Sequence, residues 1–248
     1  MSKQLTIWIF LAGLILFIPS CWQRDRFPHP PLVAPELLTE PRQEAVEKEP
    51  FSVHQEGVEY RISPLYEYAL YGQVVSFRFH DSRFGLHRAW NDHLNVADLC
   101  VVWGDNLNPD LNLNRIKFWN GQFTCNFSTR NREAWDRFDI FQISNNHLIL
   151  DDPHLRRQLS RVRIGDQIHI RGWLAEYAHS GGRRGTSTTR LDTGDGACET
   201  IFVQDYQLIA PTRNRWRGVM YFALLLLLTS ATIATTQILR GKWKPTLR

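Results

Sequence analysis

The 248-residue chain has only four cysteines, Cys21, Cys100, Cys125 and Cys198. No two of them form a C-x-x-C pair, so the spacing of a structural zinc site is missing. Nine histidines are present, yet no H-x-x-x-H or H-E-x-x-H occurs, and no metal site is expected. A G-x-S-x-G elbow and a phosphate-cradling glycine loop are both lacking, which removes the usual signs of a serine hydrolase or nucleotide binder. No catalytic residue and no cofactor is therefore assigned. Strong charge is lacking as well. A net charge of +4 without a basic stripe does not point to nucleic acid. With 43% hydrophobic residues, the composition is that of a globular protein rather than a multi-span membrane protein.

Apolar runs occur at the two ends. Residues 1–22 carry Lys3, then TIWIFLAGLILFI, then Pro19-Ser20-Cys21. A charged start, a run of this length and a small residue before the break describe a secretory signal or membrane anchor. Ile18-Pro19-Ser20-Cys21 resembles the lipobox of bacterial lipoproteins, with Cys21 as the position for lipidation. Near the other end, residues 217–240 contain an uncharged run long enough to span a bilayer, with Trp216, Tyr221 and Trp243 suited to its interfaces. Residues 241–248 form a basic tail. The signal-like start places the N-terminus inside, the domain outside and the tail inside.

Between these ends, residues 23–50 are rich in Pro and Glu and read as an extended, solvated linker. Residues 51–210 read as a β-rich domain. Tyr66, Tyr68 and Leu70 alternate, and Val75, Phe77 and Phe79 alternate in the opposite phase, with the slip assigned to a bulge at Gly72. Leu99 to Trp103 reads as a buried strand. Apolar alternation around Asn120-Gly121 predicts a hairpin. Asp152-Pro153 caps a predicted helix to about Arg161. Strands follow over 162–177 and 200–209. This order of elements, with the run GDQIHIRG at Gly165–Gly172, resembles the oligonucleotide/oligosaccharide-binding (OB) barrel. The expected fold is mainly β: an OB-like small barrel with one or two short helices, flanked by hydrophobic membrane segments. The strings STTRLDTGDGACETIFV, CVVWGDN and SNNHLIL are similar to those of an uncharacterised family of bacterial membrane-anchored proteins. That resemblance implies a shared fold and bacterial origin, and it brings no activity; with the signal-like start, the expected location is the bacterial inner membrane with the domain on the periplasmic side.

The candidate site is the polar run Arg183–Glu199. Long loops between strands are frequent binding sites. Asp192-Thr193-Gly194 is the literal D-T-G of aspartic proteases, but those enzymes need two such carboxylates. Asp192, Asp195 and Glu199 offer oxygens for calcium without EF-hand spacing. Arg183, Arg184 and Arg190 instead suit an anion. The binding residues assigned are Arg184, Thr188, Arg190, Asp192, Asp195, Glu199 and His147. His147 with Asp151 is an acid–base pair by residue type, although Asp151 and Asp152 are explained by the helix start. In an oxidising compartment Cys100 and Cys125 could pair, a crosslink worth roughly 3 kcal/mol in the chain-entropy model, leaving Cys198 free. Cys198 and His147 form a nucleophile–base combination by type, with nothing in the sequence to bring them together. The expected function is a membrane-tethered, non-enzymatic binding or assembly module of the bacterial envelope. Its partners would be the lipid bilayer and either another envelope protein or an anionic or glycan ligand. The alternative is an envelope hydrolase using the Asp192 loop.

Overall fold

The computed structural model of the chain describes residues 2–29, 32–80, 85–189, 192 and 198–241. Arg190, Asp195 and all but the first residue of the basic tail lie outside the described residues. Two compact units are present, residues 27–212 and the two chain ends.

The elements in order are α1 (Lys3–Gln23), β1 (Arg42–Ala45), β2 (Phe51–Gln55), β3 (Val58–Phe79), α2 (Gly85–Ala89), β4 (Asn95–Val102), β5 (Lys117–Asn120) and β6 (Cys125–Ser128). After these come α3 (Arg132–Arg137), β7 (Ile143–Ile149), α4 (Pro153–Leu159), β8 (Gln167–His179), β9 (Gly182–Arg184), β10 (Glu199–Ala210) and α5 (Arg215–Leu239). The protein is thus sheet-rich with two apolar terminal helices. Among the described residues it has three short internal helices, α2, α3 and α4, against the one or two expected.

β3 is the organising strand. It is 22 residues long and pairs antiparallel with β4 on one edge and β8 on the other. The pairing runs β3–β4–β7–β10–β8 and returns to β3, a ring of five strands in which β7 and β10 are parallel. Leu70, Val101, Leu148, Ile170 and Ile201, one from each ring strand, share a single apolar cluster with Trp103 and Tyr206. β1 and β2 extend the sheet along β3, and β9 extends it beyond β8.

The irregularities of β3 fall between Pro64 and Tyr66 and between Val74 and Ser76, not at Gly72. The bulge lets Val74 join the inner cluster while Val75 faces outward. Gly72 has a different role: a Cβ there would stand 2.4 Å from Val101 Cγ1, so its lack of a side chain permits close strand packing. Gly165-Asp166 is likewise structural. Gly165 takes φ +90°, and Asp166 accepts from the Arg163 and Thr212 backbone N–H groups.

The stretch 23–50 departs from the solvated linker expected. Leu37 is fully buried in the cluster of Val75, Cys100 and Val102, with Phe27, Val33 and Ala34 packed against it. Asn114 both donates to and accepts from the Phe27 backbone, and Ala34 N–H donates to Gln167 Oε1 at 2.9 Å. Four apolar side chains outweigh the proline content here. Pro35 opens a single 3-10 turn at the position where a missing N–H costs nothing.

In the other unit, α1 and α5 are each long and apolar enough to cross a membrane. α1 is longer than the run 6–18 and includes Pro19. The two helices are antiparallel: Asn214 donates to the Gln23 carbonyl, Arg217 meets Asp25 at 3.1 Å, and Gly13 lies against Ala223 and Leu227. Thr6, Gly13 and Ser20 recur every seventh residue on the buried seam of α1, facing Ala223 and Ser230 of α5. Small side chains of this kind let helix backbones approach closely. Cys21 is a half-buried free thiol on α1.

Candidate functional site

The period-two alternation of β4 puts Ala97, Leu99 and Val101 into the ring and Asp98, Cys100 and Val102 on its outside. Register aligns Asp98 with His147 and Cys100 with Asn145 on β7. Thr200 of the parallel strand β10 faces His147 in turn. This outer face is not left to solvent. The β5–β6 hairpin lies over it, and the Cys100–Cys125 disulfide, with Cα atoms 5.4 Å apart, fixes the hairpin to β4. At the hairpin tip, Phe123 takes a positive φ of 61°. Its ring lies 5.5 Å from that of His87, 6.2 Å from that of His147 and stacks on Trp90 at 5.6 Å.

Beneath Phe123 is a chain of buried polar groups. Asp98 is fully buried, and its Oδ1 lies 2.6 Å from His147 Nδ1 and 3.1 Å from His80 Nε2. Burial alone would raise the Asp98 carboxyl, but the His147 hydrogen bond and the adjacent His80 ring override it and hold the group well below the ordinary carboxylate range. Burial alone would lower His147; its bonds to Asp98 and to the Cys198 side chain carry it instead to about 9. His147 meets Asp98 through Nδ1, and the Cys198 thiol donates to the Phe123 carbonyl at 3.7 Å.

Cys198 is half-buried. Asn145 Nδ2 lies 3.4 Å from its Sγ and donates at 3.0 Å to the Phe123 carbonyl. Asn145 Oδ1 accepts from Asn120 Nδ2 at 3.4 Å, which fixes the sense of the amide. The Ser187 N–H donates to the Cys198 carbonyl at 2.9 Å, and Thr200 bonds Gly185 and Thr186, so the base of the long loop is zipped to the start of β10.

A second buried carboxylate stands nearby. Asp92 Oδ2 accepts from the Tyr177 hydroxyl at 2.8 Å and lies 3.5 Å from His87 Nδ1, while the His80 and His87 rings are 3.9 Å apart. Burial works against Asp92's charge, yet His87 and Tyr177 hold its carboxyl below the ordinary range. Burial and the adjacent Asp92 charge raise the Tyr177 phenol well above its usual value. Asp92 and Tyr177 form the floor of a cleft of about 220 Å³, walled by Trp90, His179, Gly181, Gly182, Arg183 and Arg184. The Arg184 guanidinium lies 4.2 Å over the Phe123 ring, and Arg183 meets Glu176 at its exposed end.

The residues assigned from sequence separate into groups. Arg184 lines the cleft, and His147 sits under the same Phe123 ring. His147 is partnered by Asp98 rather than Asp151, because β4 and β7 are paired in register. Glu199 is buried at the start of β10, opposite Asn146. Asp192 is 2.6 Å from the Ser187 hydroxyl. The Thr188 carbonyl accepts from Gln43. Arg190 and Asp195 lie outside the described residues. Sequence reasoning missed Asp98, Asn145, Phe123, Asp92 and Tyr177. Asp98 carried one signal: a carboxylate inside an otherwise apolar buried strand. Among the described residues, no group of three or more His, Cys, Asp or Glu side chains is arranged to hold a metal. Comparison with protein-family models, curated proteins and solved structures gives no match.

Proposed function

We propose that the protein is a membrane-tethered binding module of the bacterial envelope, and that its ligand is an anionic glycan bound at the Trp90–Arg184 cleft. The cleft carries the proposal: it combines an aromatic wall with two guanidinium groups and open backbone at Gly181-Gly182. Aromatic faces stack on sugar rings, and arginine pairs with carboxylate or phosphate. Trp90 is 46% exposed, as a stacking platform requires. The OB-like reading of the domain is supported by five ring strands, by the β7–β10 parallel pair and by α4 lying between β7 and β8. Such barrels bind oligonucleotides and oligosaccharides. The antiparallel α1–α5 pair supports both chain ends lying on one side of a membrane and the domain on the other. The resemblance to bacterial membrane-anchored proteins supports a bacterial origin, and the signal-like start supports an inner-membrane, periplasm-facing placement.

The test is tryptophan fluorescence of the detergent-purified chain titrated with uronic-acid oligosaccharides and with neutral ones of equal length. A saturable change is expected for the acidic series, weakened about tenfold or more in Arg184→Ala, the loss of roughly one charged hydrogen bond. No saturable change with the acidic series, or equal affinity in Arg184→Ala, overturns the reading.

A further inference from the structure

We propose that the outer face of the β1–β3–β8–β10 sheet carries a second binding site, a cleft that takes a short zwitterionic peptide, with its ammonium between Glu44 and Glu67 and its carboxylate on Arg171. The cleft encloses about 200 Å³ where these four strands lie side by side. None of its lining residues lines the Trp90–Arg184 cleft, so the inference does not rest on the glycan reading.

Strand register builds the site. Tyr68 and Leu70 of β3, with Ile170 and Leu174 of β8, belong to the inner cluster, so the period-two alternation turns Glu67, Ala69 and Arg171 outward. On β1, Arg42 stands opposite Ala69 and Glu44 opposite Glu67. On the other edge of β3, Arg171 stands opposite Ala69. The centre of the lining is small, since Ala69 offers one methyl and Gly172 no side chain. Facing Gly172 and Arg171, β10 carries a bulge between Val203 and Asp205. Its extra residue, Gln204, is exposed and brings to the cleft an amide that both donates and accepts.

Charge selects the ligand. Glu44 and Glu67 are directly opposite one another, and like charges so placed destabilise a strand pair. Arg42 pairs with only one of them, meeting Glu44 at 2.6 Å on the same strand. Among the described residues neither Glu67 nor Arg171 has a hydrogen bond or an ion pair from its side chain. The two are diagonal neighbours on paired strands, about 7–8 Å apart, a spacing that long side chains can close, yet they remain apart. An ammonium beside Glu44 and Glu67 answers their repulsion, and a carboxylate fits the forked guanidinium of Arg171. Protection of an exposed edge accounts for the charges of β1, but Glu67 and Arg171 lie on interior strands with partners on both sides.

The lining also sets the size and net charge of the ligand. Arg42 and Arg171 balance Glu44 and Glu67, which suits a neutral zwitterion rather than a polyanion. At about 200 Å³ the cleft is smaller than the roughly 300–1,000 Å³ of drug-sized pockets, so it holds a dipeptide rather than a long chain. A dipeptide spreads its two charges one Cα–Cα step, about 3.8 Å, wider than an amino acid does, closer to the spacing of Glu67 and Arg171.

The experiment is calorimetric titration of the full chain in neutral detergent with the dipeptide alanyl-alanine, its N-acetyl form and its C-terminal amide. A saturable heat is expected for the free dipeptide. Each blocked form should bind about tenfold or more weakly, the loss of one charged hydrogen-bonding group. Arg171→Gln should bring the free dipeptide down to the affinity of its amide, and Glu67→Gln should bring it down to that of the N-acetyl form. Without ligand, Glu67→Gln should unfold at the same urea concentration as wild type or a higher one, because it removes the like-charge opposition. A lowered midpoint would make Glu67 a structural residue and overturn its assigned role. The proposal is also overturned by the absence of saturable heat with the free dipeptide, by blocked forms that bind as tightly, or by an affinity unchanged in Arg171→Gln. The three peptides titrated into the unsubstituted chain decide the matter even where a variant fails to fold.

Discussion

The two faces of β4 and β7 are built from alternate residues of the same strands, yet they solve burial in opposite ways. Inward, Leu99, Val101 and Leu148 are wholly apolar and touch the other strands of the ring. Outward, Asp98, His147 and Asn145 are equally hidden from water but polar, and every one needs a partner. Area stabilises most of the inner face, each Leu or Val removed from water contributing about 1.5–3 kcal/mol, while Asn146 and Ser144, opposite Leu99 and Val101, are held there by a hydrogen bond to each other and one to the Leu99 carbonyl. The outer face holds only if its cover holds. A hairpin with few residues of its own supplies that cover, fixed by one disulfide and closed by Phe123. Non-directional packing therefore defines the ring, and directional bonding under a tethered lid defines the site.

The largest test of this contrast sets Asp98 against its neighbour Leu99. Asp98→Ala leaves His147 and His80 buried without their carboxylate and should cost about 3–5 kcal/mol. Leu99→Ala should cost about 2–5 kcal/mol through a cavity. Only the first cost should depend on pH. Asp98 is held below its unfolded value, so its contribution is present above about pH 4 and lost as pH falls. His147 is held up at about 9, so its contribution is complete below its unfolded value of about 6.5 and lost as pH rises toward 9. The stability gap between wild type and Asp98→Ala, read from urea melts, should therefore be widest between about pH 4 and 6.5. A pH-independent gap would mean that the outer face is held by packing, as the inner one is.

Cys125→Ala should come next, at about 2–4 kcal/mol, because it opens a crosslink spanning 25 residues. Hydrogen exchange would sharpen the comparison. The β5–β6 amides and the Asn145 side chain should lose protection, while the inner amides of β8 and β10 keep theirs. Uniform loss across the ring would contradict a separately tethered lid. The smallest effect is expected at a control site outside both faces. Arg132 bonds Asp136 on α3 while 88% exposed, and Arg132→Gln should change stability by no more than about 0.5 kcal/mol. A larger change would mean that α3 supports the hairpin through this pair.

Much of the ring was legible in the sequence. β3, β8 and β10 alternate apolar and polar residues, and α4 begins at Asp152, whose side chain caps the His154 N–H as its residue type predicts. β7 was not legible. Its run Ile143–Ile149 carries Ser144, Asn145, Asn146 and His147 in succession, so neither period two nor an apolar core marks it. It is a strand because β4 and β10 supply hydrogen bonds on both edges. The site failed to show for the same reason. Asp98, His147 and His80 are far apart in the chain and meet only through the pairing of β3, β4 and β7. The Arg183–Glu199 loop stands out by its own composition, while the buried polar groups Asp98, Asn145 and His147 are brought together by β4 and β7. The linker was misread because proline content was weighed above four apolar side chains that had a groove to fill.

One feature of β3 bears on how the chain reaches this state. Tyr68 pairs with Gly172 and Leu70 with Ile170, so ring closure joins segments about a hundred residues apart. Contacts of such sequence separation form slowly, because loop entropy is lost before they repay it. During synthesis β4 can pair early on one edge of β3, but the other edge waits for β8. Until then the edge of β3 over residues 61–73 offers unpaired N–H and C=O groups to any neighbouring chain. The interval before β8 appears, rather than the finished ring, is where this protein is open to misassembly.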